Sequence, residues 1–159
     1  MELLLKLLEE NARLSLEQLA TMLSLSEQEV AEKMDKLAKK GVILGYQAVI
    51  DWEKTGKDYV TSIIELTVSP QKGHGFDDVA QTIAEFPEVD SVYLMSGGYD
   101  LAIIMHGRTF KDIAMFVARR LAPLDSVLST GTHFVLQKYK DKGIKLDIGI
   151  LDERELANL

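Results

Sequence analysis

The chain has 159 residues, 47% hydrophobic and 27% charged, with a net charge of −7 and no cysteine. This is ordinary globular composition for one or two small domains, and it excludes disulfides, thiolate metal sites and thiol catalysis. No apolar run approaches the roughly 20 residues of a bilayer span, no basic leader follows Met1, so a cytoplasmic location is expected, and the acidic balance does not by itself favour a nucleic-acid partner.

Residues 2–10 place Leu4, Leu5 and Leu8 at helical spacing. Ser15 with Gln18 forms a capping box that opens a second helix, with Leu16, Leu19, Ala20 and Leu23 on one face. Ser24 and Leu25 break the pattern. Ser26 with Glu29 opens a third helix, running to about Lys40, whose buried stripe is Val30, Met34 and Leu37. Gly41 suits a left-handed cap. Residues 42–51 read as a strand, a wing or connector. Two capped helices separated by a short turn form a helix-turn-helix, so residues 1–50 are expected to be a DNA-binding domain. The polar stretch DWEKTGK (51–57) reads as a linker.

From residue 58 the pattern changes. Residues 59–69 read as a strand with Ile64, Leu66 and Val68 on one face, and 70–75 as a loop. Residues 76–86 read as a helix, with Phe76, Val79, Ala80 and Ile83 inward, Asp77 and Asp78 at its dipole-favoured start, and Pro87 ending it. Residues 89–96 and 99–106 then read as a hairpin around Gly97-Gly98, whose positive φ angles would make a tight turn. That hairpin is apolar on both faces. Thr109 with Asp112 caps a helix over 110–121, and 127–138 form a last strand. The expected domain, 58–140, is therefore βαββαβ, a ferredoxin-like α+β sandwich with both helices on one face. Its bare face is expected to pair with another copy. Residues 141–159 are a tail, with 152–159 either a short helix or disordered.

Four motifs in order resemble the Lrp/AsnC family of leucine- and asparagine-responsive regulators. They are LSLEQLA (14–20), LSEQEVAEKMDKLAKKGVILGY (25–46), SGGYDLAI (96–103) and STGTHFVLQKYK (129–140). Together they span most of the chain. The resemblance implies a winged helix-turn-helix followed by a RAM-type ligand-binding domain. It implies a transcriptional regulator of double-stranded DNA that dimerises sheet to sheet and assembles further, with an octamer as the expected ring. It also implies an amino-acid effector bound between subunits near the hairpin loop. Lys33 stands where the family usually carries an arginine.

For DNA, the candidate residues are Ser26, Gln28, Glu29, Lys33 and Lys36. Gln28 suits adenine, a glutamate suits cytosine, and the lysines suit phosphates. The competing reading is a solvated face with Glu29–Lys33 and Glu32–Lys36 ion pairs. For the effector, Asp100 is the candidate for an ammonium group, and the backbone of Gly97, Gly98 and Tyr99 for a carboxylate. Ser129, Thr130, Thr132 and His133 would complete the pocket. The competing reading makes Asp100 a cap of the turn. His74, His106 and His133 lack metal-ligand spacing, and no nucleophile-elbow or P-loop motif appears. No enzyme, metal or cofactor is expected. An oligomeric effector sensor with little DNA binding is the alternative function.

Overall fold

The chain divides into two units, Met1–Val49 and Ile50–Leu159, and the computed structural model describes residues 1–70 and 75–146. The expected tail helix at 152–159 lies outside the described residues.

The first unit holds α1 (Glu2–Glu10), α2 (Leu16–Leu23) and α3 (Glu27–Lys39). Both predicted capping boxes form: Ser15 with Gln18 and Ser26 with Glu29 each exchange side-chain and backbone bonds. Each satisfies two otherwise orphaned backbone donors. The turn between them is short because Ser24 takes a left-handed conformation (φ 53°). Leu4, Leu8, Leu19, Ala20, Val30 and Leu37 form the core beneath. Gly41 (φ 67°) ends α3, with its N–H on the Ala38 carbonyl and the Val42 N–H on the Leu37 carbonyl. That pair of bonds is a Schellman cap.

The expected strand over 42–51 does not form, so the unit carries no wing. Its apolar, β-branched composition suits a strand, but a strand needs a neighbour's ladder, and the first unit offers only helices. The boundary also falls earlier than the expected linker. Residues 53–55 make a short 3-10 turn in the second unit, and Trp52 just before it stacks on Tyr59 at 5.5 Å.

The second unit is a four-stranded antiparallel sheet in the order β2-β3-β1-β4, from β1 (Val60–Val68), β2 (Val89–Leu94), β3 (Leu101–Gly107) and β4 (Val127–Phe134). Helices α4 (Asp77–Ala84) and α5 (Phe110–Phe116) bury Val79, Ile83, Ile113 and Phe116 in one cluster with Ile64, Leu66, Leu101 and Ile103. Each fully buried aliphatic side chain contributes about 1.5–3 kcal/mol. Residues 117–121 continue α5 as a wider π turn, closed by the Ala122 N–H on the Val117 carbonyl. β4 stops at Phe134, short of the expected 138. Beyond it, Lys140–Asp141 (β5) pairs with Ile144–Lys145 (β6), a pair that the expected tail did not include.

The face away from the helices is less greasy than its hairpin suggested. Register places Tyr93, Ala102 and Ile104 there beside Ile63, but also Thr61, Glu65, Thr67, Ser129 and His133. The face is thus an apolar centre with polar neighbours, including a Glu65–His133 contact of 3.4 Å. Among the described residues, no helix is long and apolar enough to cross a membrane.

One glycine in the sheet is fixed by packing. A Cβ on Gly107 would stand 2.9 Å from the Cγ1 of Ile113, which is fully buried at the start of α5 and has no room to turn away. Gly107→Ala is expected to cost about 1–3 kcal/mol, read as a lowered urea midpoint. An unchanged midpoint would mean that α5 gives way freely.

Candidate nucleic-acid interface and effector pocket

Structure sorts the five DNA candidates into two groups. Ser26 and Glu29 are occupied with each other: the Ser26 N–H and hydroxyl both donate to a Glu29 carboxylate oxygen, at 2.9 and 2.8 Å, and the Glu29 N–H donates to the Ser26 hydroxyl oxygen at 3.2 Å. The Ser26 N–H, its hydroxyl and then nearby Lys33 hold the Glu29 carboxyl below its usual range, so it stays ionised. These two cap the helix start. Gln28 donates to Glu32 at 3.0 Å, a bond a base would have to replace. The expected Glu29–Lys33 and Glu32–Lys36 ion pairs do not form, because their acids are bound to Ser26 and Gln28. Asp35 instead holds Lys39 at 2.6 Å. Lys33 and Lys36 are therefore exposed cations without an ion pair among the described residues. They can meet phosphates without first breaking a short ion pair.

The effector candidates lie at two places. The hairpin connection is a loop, not the tight glycine turn expected: Gly97 is nearly extended (φ 158°) and Gly98 has no positive φ. Asp100 explains why. Its N–H donates to the Leu66 carbonyl at 2.9 Å, its carbonyl accepts the Met95 N–H at 2.8 Å, and its Oδ2 accepts the Val68 N–H at 2.8 Å. Asp100 thus clamps the loop to the end of β1. Among the described residues, its other carboxylate oxygen accepts no hydrogen bond. A Cβ on Gly97 or Gly98 would have nothing within 4 Å, so their backbone is open to a ligand.

The last-strand candidates do not converge. Ser129 and His133 pair with Thr67 and Ile63 on the open face, whereas Thr130 and Thr132 pair with Leu66 and Ile64 on the helix-bearing face. Ser129 and Thr130 are near the clamp, on the other side of β1, about two strand spacings or 10 Å away. His133, four residues farther along β4, is about 13 Å from Ser129. Among the described residues, one chain therefore supplies an open rim and not a closed pocket.

A cleft of about 410 Å³, counting its open mouth, lies at the opposite end of the sheet, lined among others by Ile50, Trp52, Tyr59, Thr61, Lys138 and Asp141. Sequence reasoning missed this cluster. Its signal was two aromatic residues, Trp52 and Tyr59, flanking Gly56, whose left-handed φ of 69° turns the chain back.

Residues 61–144 match the Lrp/AsnC ligand binding domain and residues 2–38 the AsnC-type helix-turn-helix domain. The chain is 47% identical to a Bacillus subtilis protein named as an uncharacterized HTH-type transcriptional regulator, YugG, over 95% of this chain and 92% of that one. Two solved structures share the fold. One, PH0061, superposes with a TM-score of 0.76 at 24% identity, covering 91% of this chain and 94% of that one. The other is the transcriptional regulator NMB0573 of Neisseria meningitidis in complex with L-Met. Its TM-score is 0.71 at 23% identity, covering 93% of this chain and 94% of that one.

Proposed function

Because the chain belongs to the Lrp/AsnC family of helix-turn-helix transcriptional regulators, we propose that it binds operator DNA through α3 and tunes that binding by sensing an amino acid. The work would take place in the cytoplasm, and no catalytic step is proposed. The single observation that carries the effector half is the clamped loop: a carboxylate oxygen of Asp100 that accepts no hydrogen bond among the described residues, beside two glycines whose backbone is open there. An amino acid needs that pairing, an acceptor for its ammonium and N–H donors for its carboxylate. The L-Met complex of NMB0573 supports the ligand class. Tyr99, Ser129, Thr130, Thr132 and His133 are candidates to complete the shell when a second copy brings its rim against the first. Copies pairing through the open sheet face, and pairs assembling to an octamer, are part of this proposal.

The test is gel retardation on DNA upstream of the gene at low salt, with and without each of the twenty amino acids. The expected result is retardation that weakens as salt rises and changes with one amino acid or a few. Retardation absent at every salt would favour the alternative, an oligomeric sensor with little DNA binding, which the seven Lys/Arg against ten Asp/Glu over residues 1–56 also favour.

Asp100→Asn separates the two roles of that residue. The amide oxygen can still accept the Val68 N–H, but the charge is gone. Effector affinity is expected to fall roughly tenfold or more, from the loss of a charge-assisted hydrogen bond, with melting temperature nearly unchanged. Full affinity in the variant, by calorimetry, would leave Asp100 as a loop clamp only.

A further inference from the structure

Three rings stack in series at the end of the sheet away from the hairpin loop. Trp52 lies on Tyr59 (5.5 Å between centroids, 23° between planes), and Tyr59 lies on His106 (4.8 Å, 26°). Trp52 leads the short turn by which the chain enters the second unit. His106 is on the open face of β3, so the stack ties that turn to the sheet. The imidazole has two specific neighbours: the Oγ1 of Thr61, a buried residue, is 3.1 Å from Nδ1, and Asp90 is 4.0 Å from Nε2. Among the described residues, Lys138 after β4 and Asp141 and Lys142 of the β5–β6 pair supply further nearby charges.

We propose that this stack is a proton-gated clasp, in which protonation of His106 releases the Trp52 turn from the sheet. A neutral imidazole fits both neighbours, with Nδ1 accepting the Thr61 hydroxyl and Nε2–H directed towards Asp90. A proton on Nδ1 abolishes its acceptor role and forces the Thr61 hydroxyl to reverse. It also puts a charge on a ring covered by Tyr59. Asp90 and Asp141 attract that charge, while Lys138 and Lys142 repel it. Burial is the largest effect and outweighs the acids, so the His106 pKa lies below its ordinary value. By linkage, a geometry that disfavours the proton is disfavoured by it. An opened His106 takes up a proton near pH 6.5, which the stacked one refuses, so the clasp weakens as pH falls below that value.

Trp52 is the chain's one tryptophan, so its emission reports the clasp directly. The experiment follows emission and acrylamide quenching of the full chain from pH 8 to 5.5, with far-UV circular dichroism alongside. The expected result is a red shift and a rise in quenching along a one-proton transition with its midpoint below 6.5, while secondary structure persists. His106→Gln should abolish the transition and His133→Gln should leave it. Thr61→Val, which removes the donor to Nδ1, should move the midpoint upward and serves if His106→Gln fails to fold. A flat Trp52 signal, a transition that survives in His106→Gln, or a midpoint unmoved in Thr61→Val would overturn the clasp.

Discussion

Ile63→Glu is expected to turn an oligomer into single chains that fold normally. Ile63 is 39% exposed and pairs with Ile104 on one side and His133 on the other. It is therefore at the middle of the open sheet face and outside the core cluster. A second carboxylate there, two residues from Glu65 on the same face, would have to be stripped of water when two such faces meet. An unpaired buried charge costs several kcal/mol, enough to dissolve a contact that a lone chain does not need. Light scattering should give the mass of one chain, with a melting curve close to that of the unmodified protein. An oligomer that persists would move the interface elsewhere. Monomers should also lose effector response, because the described residues of one chain form only an open rim.

Lys33→Glu combined with Lys36→Glu should remove DNA binding. Residues 27–40 carry four acids and four lysines, so α3 has no surplus positive charge to spare. Each lysine meeting a phosphate contributes about 0.9 to the salt slope and roughly tenfold in affinity at low salt, and reversal adds repulsion. Retardation by the double variant should vanish while the core of Leu4, Leu19, Val30 and Leu37 holds the helices in place. Lys33→Arg should act in the other sense, since a guanidinium can grip guanine with two parallel bonds where an ammonium cannot. Unchanged retardation by the double variant would take α3 out of the interface.

Features encoded within a few residues were legible in the sequence. Ser15 with Gln18, Ser26 with Glu29 and Thr109 with Asp112 close their capping boxes within one helical turn, so composition and spacing suffice. The βαββαβ order followed from alternating period-2 and period-3.6 runs. Features set at long range were not legible. The bond from Val68 to Asp100 spans 32 residues, and it makes the hairpin connection a clamped loop where two glycines suggested a tight turn. The apolar stretch after Gly41 has strand composition but meets no ladder among the described residues. The four last-strand candidates are neighbours in sequence, but period-2 alternation sends Ser129 and Thr130 to opposite faces.

Light scattering of the unmodified protein at micromolar concentration probes the idea on which the rest depends, that the half-apolar sheet face is made to meet its own copy. A mass of two chains or a multiple of two is the predicted result. The mass of one chain, with the helices and sheet intact by circular dichroism, would contradict it.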